Sequence, residues 1–205
     1  SEVLDLSTEY RLNYIQKNNF YSFMIINLEN GYEKENNSPK NIITNKGFVH
    51  LRTTKNLFQN YQMEIFSQYE FNEFLLLNDR YLFGSGIRIG FQKSKLKTTF
   101  LSIGLMYEKE SYIDMLNEKS LLRSTNYIKN NITLSSNIDL SNTIYFQIAS
   151  TDINDYRILY DGALNCHLND LLAFTIELNY RYDNDPHGDL GSSYIQISNG
   201  VTFNF

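Results

Sequence analysis

The sequence predicts an all-β fold: an antiparallel up-and-down transmembrane β-barrel, with about eleven strands in this chain. Three observations carry the prediction. Apolar residues recur at every second position rather than at helical spacing. Connections alternate between short and long, as the periplasmic turns and external loops of outer-membrane barrels do. The last segment ends on an aromatic, Phe205, with Phe203 and Val201 on the same face.

The first strand puts Leu4, Leu6, Thr8, Tyr10, Leu12 and Tyr14 on one face and Asp5, Ser7, Glu9, Arg11 and Asn13 on the other. Lys17-Asn18-Asn19 reads as a turn. Phe20 to about Glu33 is apolar on both faces at first, and Ser38-Pro39 marks a loop. Asn41 to Thr54 sets Ile43, Val49 and Leu51 against Lys46, His50 and Arg52. A turn is expected at Lys55-Asn56. From Leu57 to Phe71, Tyr61, Met63, Ile65, Tyr69 and Phe71 oppose Asn60, Gln62, Glu64, Gln68 and Glu70.

Tyr81, Phe83, Ile87, Ile89 and Phe91 then oppose Leu82, Gly84, Gly86, Arg88 and Gly90. Leu101, Ile103, Leu105 and Tyr107 oppose Ser102, Gly104 and Glu108. Leu122 to Ser135 alternates weakly, and Ile144, Phe146 and Ile148 follow. Ile158, Tyr160, Leu164 and Cys166 oppose Arg157, Asp161, Asn165 and His167. The clearest alternation sets Leu172, Phe174, Ile176, Leu178, Tyr180 and Tyr182 against Ala173, Thr175, Glu177, Asn179 and Arg181. Ile195, Ile197, Val201, Phe203 and Phe205 close the chain.

Short connections are expected near Lys17, Lys55, Lys93, Asn137 and Asn169, and longer ones near Asn36, Asn72, Ile113, Asp152 and Pro186. A single-chain barrel usually has an even strand count with both ends on the periplasmic side. Here the first and last strands both run inward. A further strand upstream of Ser1 is therefore expected, about twelve in all.

Composition is compatible with this reading. The chain has 205 residues, with 16 Tyr, 14 Phe and no Trp. They are read as a single domain, residues 1–205. Its mean hydropathy is slightly negative, but a membrane barrel shows only alternate residues to lipid. No apolar run approaches the ~18 residues of a spanning helix. No basic segment followed by an apolar stretch opens the chain, so the numbering is read as beginning on a processed or trimmed protein. The single Cys excludes a disulfide framework. The net charge of −5 carries no basic stripe, which argues against nucleic acid.

A soluble closed barrel also alternates. With charges of both signs turned outward, however, its interior would hold too many Tyr, Phe, Leu and Ile for one lumen. Tyr61, Tyr69, Tyr81, Tyr107, Tyr156, Tyr180 and Tyr182 fall near strand ends, where an amphipathic ring suits the headgroup level. Val201, Phe203 and Phe205 look like the lipid-facing terminal signature that such barrels present to their insertion machinery.

Several stretches resemble a known family. They are Arg80 to Phe91, Leu101 to Glu110, Leu122 to Tyr127, and most specifically Asp155-Tyr156-Arg157 and Arg181 to Pro186, followed by the Phe terminus. The chain resembles the YdiY-like group of salt-induced outer-membrane proteins, a domain family of unknown function. The resemblance is strong from about Phe66 onward and looser before it. It implies a barrel in the bacterial outer membrane with one additional N-terminal strand. It carries over no catalytic residue.

The inward faces are expected to form a lumen-facing polar network of Arg11, His50, Arg52, Glu64, Arg88, Glu108, Arg157, Asp161, His167, Glu177 and Arg181. Arg157, Asp161 and His167 share one strand, but residues i and i+6 lie ~20 Å apart and cannot form one triad. No Gly-x-Ser-x-Gly motif is present. Asp183 to Asp189 offers oxygen ligands without the spacing of a calcium loop, so it reads as a solvated turn. Gly84, Gly86 and Gly90 are expected to relieve crowding or allow curvature. Cys166 reads as a small hydrophobe on the apolar face.

No catalytic residue, cofactor or metal is expected. The best reading is a non-enzymatic barrel with a narrow or plugged lumen, serving the envelope or scaffolding an outer-membrane protein partner. Outer-membrane lipid and the barrel-insertion machinery are the other expected partners. The alternatives are a small diffusion channel for ions or solutes and an outer-membrane hydrolase. A soluble carrier would need the Phe and Tyr faces to point inward.

Overall fold

The computed structural model describes residues 2–16, 20–35, 39–94, 96–114, 118–169, 171–188 and 190–203; for Gln92, Lys93, Thr202 and Phe203 only the backbone is described. The strands are β1 (Glu2–Gln16), β2 (Phe20–Lys34), β3 (Asn41–Phe58), β4 (Tyr61–Asn72), β5 (Leu77–Lys93), β6 (Lys97–Tyr112), β7 (Lys119–Ser135), β8 (Ile138–Ala149), β9 (Tyr156–His167), β10 (Leu172–Asp183) and β11 (Ser193–Phe203). They form an 11-stranded sheet in sequence order, β1 to β11. Each hairpin is antiparallel. Thus β1 and β2 pair from Glu2↔Lys34 to Gln16↔Phe20, and β10 and β11 from Leu172↔Phe203 to Tyr182↔Ser193. Among the described residues the one helical element is a 3-10 turn, Glu73–Leu75.

Two compact units divide these residues. One comprises Ser1–Leu57, Met63–Ser85 and Met106–Leu122, the other Phe58–Gln62, Gly86–Leu105 and Arg123–Phe205. Both are inverted relative to a water-soluble protein. In the first unit the buried set includes Thr54, Glu64, Glu108 and Glu110; in the second it includes Ser102, Arg123, Thr125, Gln147, Asp155 and Arg157. The exposed residues include many large apolar ones: Leu51, Ile65, Phe83 and Tyr107 in one unit, Ile103, Ile128, Phe146 and Ile197 in the other. Water would oppose that arrangement and lipid favours it. The soluble-carrier alternative needs the opposite orientation of the Phe and Tyr faces.

Two boundaries differ from the sequence reading. The short connection expected at Lys55-Asn56 lies at Gln59-Asn60, and β3 runs on to Phe58. Lys55 still pairs with Phe20 across the β2–β3 ladder. Gln59 takes a left-handed conformation, φ 41°, that closes the turn. Polar composition marks Lys55-Asn56 as a turn, but the ladder continues through it. The weak segment at Leu122 proves to be the 17-residue strand β7. Its alternation is blurred because its buried face carries Leu121 and Tyr127 beside Arg123 and Thr125. The remaining short and long connections fall where the sequence places them, those at residues 17–19, 36–38 and 115–117 lying outside the described residues.

The glycine reading is sharpened at one position. A Cβ on Gly86 would stand 2.7 Å from the Ile103 carbonyl oxygen and 3.0 Å from Gly104 Cα. Gly86 therefore permits close approach of the β5 and β6 backbones.

Candidate functional site: the charged face of the sheet

Period-two alternation lines up polar side chains on one face of each strand, so neighbouring strands bring them into contact. In the first unit, Lys46 of β3 meets Glu29 of β2 at 3.0 Å. Arg52 Nη1 donates to Glu64 Oε2 at 3.2 Å, and the Glu64 side chain is only 2% exposed. Two residues along β3, the His50 ring lies between Phe23 and Phe66, with centroids 5.7 and 6.3 Å away. The Arg11 guanidinium sits over Phe23 at 4.9 Å and that of Arg52 over Phe66 at 5.2 Å. Those contacts extend the stack at both ends.

A hydrogen-bonded path leads from this stack toward the longer connections. His50 Nδ1 bonds Gln68 Oε1 at 3.0 Å, and Gln68 Nε2 donates to Glu70 Oε2 at 3.1 Å. Arg80 Nη1 donates to the same Glu70 oxygen at 3.3 Å. Arg80 also holds Glu110 Oε1, at 2.6 Å from Nη2, and its Nε lies 3.5 Å from Glu108 Oε1. Tyr112 donates its hydroxyl proton to Glu110 Oε2 at 3.1 Å. Glu108 and Glu110 stand two apart on β6 and share its buried face, each 1% exposed.

The second unit repeats the theme. Arg88 Nε donates to Gln62 Oε1 at 2.7 Å, with its guanidinium 4.4 Å over Phe100. Arg123 of β7 is fully buried and donates from Nη1 to Asp155 Oδ1 at 2.8 Å and to the Asp155 carbonyl at 3.2 Å. Arg157 lies opposite Asp183 in the β9–β10 register and donates to its Oδ2 at 2.7 Å. Arg181 reaches diagonally to Asp161 Oδ1, also 2.7 Å. Asn184 fastens the neighbouring loops, donating its backbone N–H to Tyr156 O and its amide to Asn154 O.

The stretches that carry the family resemblance meet here. Leu122 to Tyr127 supplies Arg123; Asp155-Tyr156-Arg157 supplies its acceptor and the next guanidinium; Arg181 to Pro186 supplies Asp183 and Asn184. The motif is thus a set of ion pairs and loop hydrogen bonds.

The predicted residues take separate places. Arg52 and Glu64 are brought together, as are Asp161 and Arg181. Arg157, Asp161 and His167 each have their own partner, since His167 Nε2 bonds Asp139 Oδ2 at 3.1 Å. Arg11 and Glu177 are exposed; Arg11 donates to Asn13, and Glu177 accepts from Ser198. Val201 is exposed, while Phe205 and the Phe203 side chain lie outside the described residues, as does Asp189 of the candidate calcium loop. The expected network left out Glu70, although the sequence puts it on the polar face with Glu64, and it missed Arg80, Glu110, Arg123, Asp139, Asp155 and Asp183. Parity alone would have found Arg80 from Leu82 and Glu110 from Glu108. Asp155 sits in a connection, where parity gives no signal.

In a hydroxyl–His–Asp triad the hydroxyl bonds the imidazole and the carboxylate bonds its other nitrogen. Here Thr133 Oγ1 donates to Asp139 Oδ1 at 2.7 Å, so the carboxylate, not the ring, is central. Among the described residues, no three His, Cys, Asp or Glu side chains gather as metal ligands.

Solved structures share this fold. A NanC porin in a rhombohedral crystal form matches with a TM-score of 0.58 and 14% identity, over 98% of this chain and 94% of the porin chain. A bacterial polysaccharide outer membrane secretin matches with a TM-score of 0.55 and 9% identity, over 98% of this chain and 91% of that one. At such identities the likeness establishes the fold, that of outer-membrane β-barrels. No curated protein sequence matches the chain. The family model described as "Protein of unknown function, DUF481" matches residues 4–205, and the chain belongs to that family.

Proposed function

We propose that this chain is an integral protein of the bacterial outer membrane, of the YdiY-like salt-induced kind, and that it performs no enzymatic chemistry. Its polar face turns inward and is sealed by paired charges. Its role is structural, in the envelope or as the scaffold of an outer-membrane protein partner. The apolar face contacts lipid, and the C-terminal strand engages the insertion machinery.

One observation carries the sealed reading: Arg52, Arg80, Arg123, Arg157 and Arg181 are each clamped by a carboxylate of their own unit. A selective pore presents charge of one sign to its solute. Guanidiniums and carboxylates consumed by each other present little. The Thr133–Asp139–His167 order supports the non-enzymatic part, because the hydroxyl is not placed for deprotonation by the ring.

The likeness to a porin favours a second reading, a small diffusion channel. Single-channel recording separates the two. The mature protein is folded in detergent, checked by a heat-shifted gel band and inserted into a planar bilayer. The sealed reading expects a folded, inserted and silent protein, and steady discrete openings would replace it with the channel.

A further inference from the structure

On the apolar face of the first unit, charged side chains stand beside an open groove. The groove has a volume of about 350 Å³ and is lined by Val49 and Leu51 of β3, Tyr69 of β4, Tyr81 and Phe83 of β5 and Tyr107 of β6, all exposed. The rings of Tyr69 and Tyr81 stand 5.0 Å apart. Asp79 lies two residues before Tyr81 on β5, and Lys109 two residues after Tyr107 on β6. Both therefore share the face of the groove, at its end toward the longer connections. Ser111 Oγ donates to Asp79 Oδ2 at 2.5 Å, and Asn78 Nδ2 donates to the same oxygen at 2.8 Å. Lys109 Nζ meets Glu118 Oε2 at 2.7 Å, and their side chains are 38% and 56% exposed. Lys109 and Ser111 are two apart on one strand face, ~7 Å. The rim thus presents a cation and a carboxylate within the span of one lipid headgroup.

We propose that this groove docks one glycerophospholipid with an ethanolamine headgroup: an acyl chain lies in the groove, the phosphate accepts from Lys109 and the ammonium donates to Asp79. The inference rests on the proposed contact of the apolar face with lipid and adds a headgroup preference to it. A concave apolar surface with a few placed polar groups gives both affinity and orientation. Here the aliphatic and aromatic side chains hold the chain, and the tyrosine rings suit the level where chain meets headgroup. The rim then selects the headgroup by charge. A purely anionic headgroup would pair with Lys109 but face Asp79 and Glu118. A choline headgroup brings positive charge without an N–H, whereas an ammonium brings three donors for a charge-assisted bond to the carboxylate. The flexible stem of Lys109 lets its ammonium turn from Glu118 to the phosphate.

The test folds the protein into vesicles of equal parts dioleoyl phosphatidylethanolamine, phosphatidylcholine and phosphatidylglycerol, doped with lipopolysaccharide. After extraction in mild detergent, native mass spectrometry weighs the lipid that stays bound. Wild type, Asp79→Asn and Lys109→Gln are compared, each after showing the heat-shifted band. Wild type is expected to retain one phosphatidylethanolamine several-fold over the other lipids. Asp79→Asn should bring phosphatidylethanolamine down to the level of phosphatidylcholine, and Lys109→Gln should lower retention of all three phospholipids several-fold. Equal retention by wild type, a preference for phosphatidylglycerol or lipopolysaccharide, or a preference that survives Asp79→Asn overturns the inference and leaves lipid contact standing. If Asp79→Asn does not fold, Val49→Trp carries the test by filling the groove: a several-fold loss of phosphatidylethanolamine is expected, and unchanged retention overturns the site. A wild type that stays in the aqueous phase and never shows the heat-shifted band removes the membrane reading itself, and the docking site falls with it.

Discussion

Arg123 is 0% exposed, and Asp155 gives it both a carboxylate and a carbonyl oxygen. A buried charge is tolerated only while partners replace its hydration. Asp155→Ala should therefore destabilise the fold by about 3–5 kcal/mol, the usual cost of stripping one member from a buried pair. Replacing both residues, as Arg123→Met with Asp155→Ala, should cost clearly less than the sum of the single changes. Urea unfolding in detergent, followed by the heat-shifted band, measures both. Equal and additive losses would remove Asp155 as the partner that matters. Gly86 offers a test of different origin. A methyl group there would meet the Ile103 carbonyl at 2.7 Å, and backbone cannot swing aside as a side chain can. Gly86→Ala is expected to cost roughly 1–3 kcal/mol, in the range of overpacking. Unchanged stability would mean that β5 and β6 can separate.

Strands and turns show how far the sequence reaches. Alternation located the strands in which one face is polar and the other apolar, as in Phe174, Ile176 and Leu178 against Thr175, Glu177 and Asn179 of β10, and was weaker in β2 and β7. It also put Arg52 and Glu64 on the polar faces of successive strands, where parity and adjacency bring them together. It failed where geometry is set by the ladder or by a loop. Lys55-Asn56 has the composition of a turn, yet pairing carries β3 to Phe58, and the reversal uses Gln59 at φ 41°. Asp155 and Asp183 were invisible as network members because one lies in a connection and the other at a strand end. An insertion scan tests the corrected boundary. A Gly-Ser pair inserted between Gln59 and Asn60 should leave the heat-shifted band intact, since it lengthens a turn. One residue inserted between Arg52 and Thr53 should abolish it, because a slip of one turns every later side chain of β3 to the wrong face. Equal tolerance at both positions would place the turn elsewhere.

At the scale of the molecule, the decisive property is which face meets which solvent. Large apolar side chains such as Leu105, 55% exposed on β6, would be a liability in water. In lipid they match their surroundings, and a charge put in their place acquires a depth-dependent cost. Arginine on the lipid face of a membrane barrel costs about 2–4 kcal/mol at the bilayer midplane and about 0–1 near the interfaces. Leu105 lies near the middle of β6, whereas Leu57 lies at the end of β3 beside the Gln59-Asn60 turn and is likewise exposed. Leu105→Arg should therefore lower folding stability in lipid vesicles by several times as much as Leu57→Arg. Without a bilayer, both would be surface changes within about 0.5 kcal/mol of wild type. Reversible folding into vesicles at graded denaturant measures the two costs side by side. A steep difference between mid-strand and strand end requires a hydrocarbon layer around the apolar face. A flat profile would mean that water reaches that face along its whole height, and the membrane assignment would fall with it.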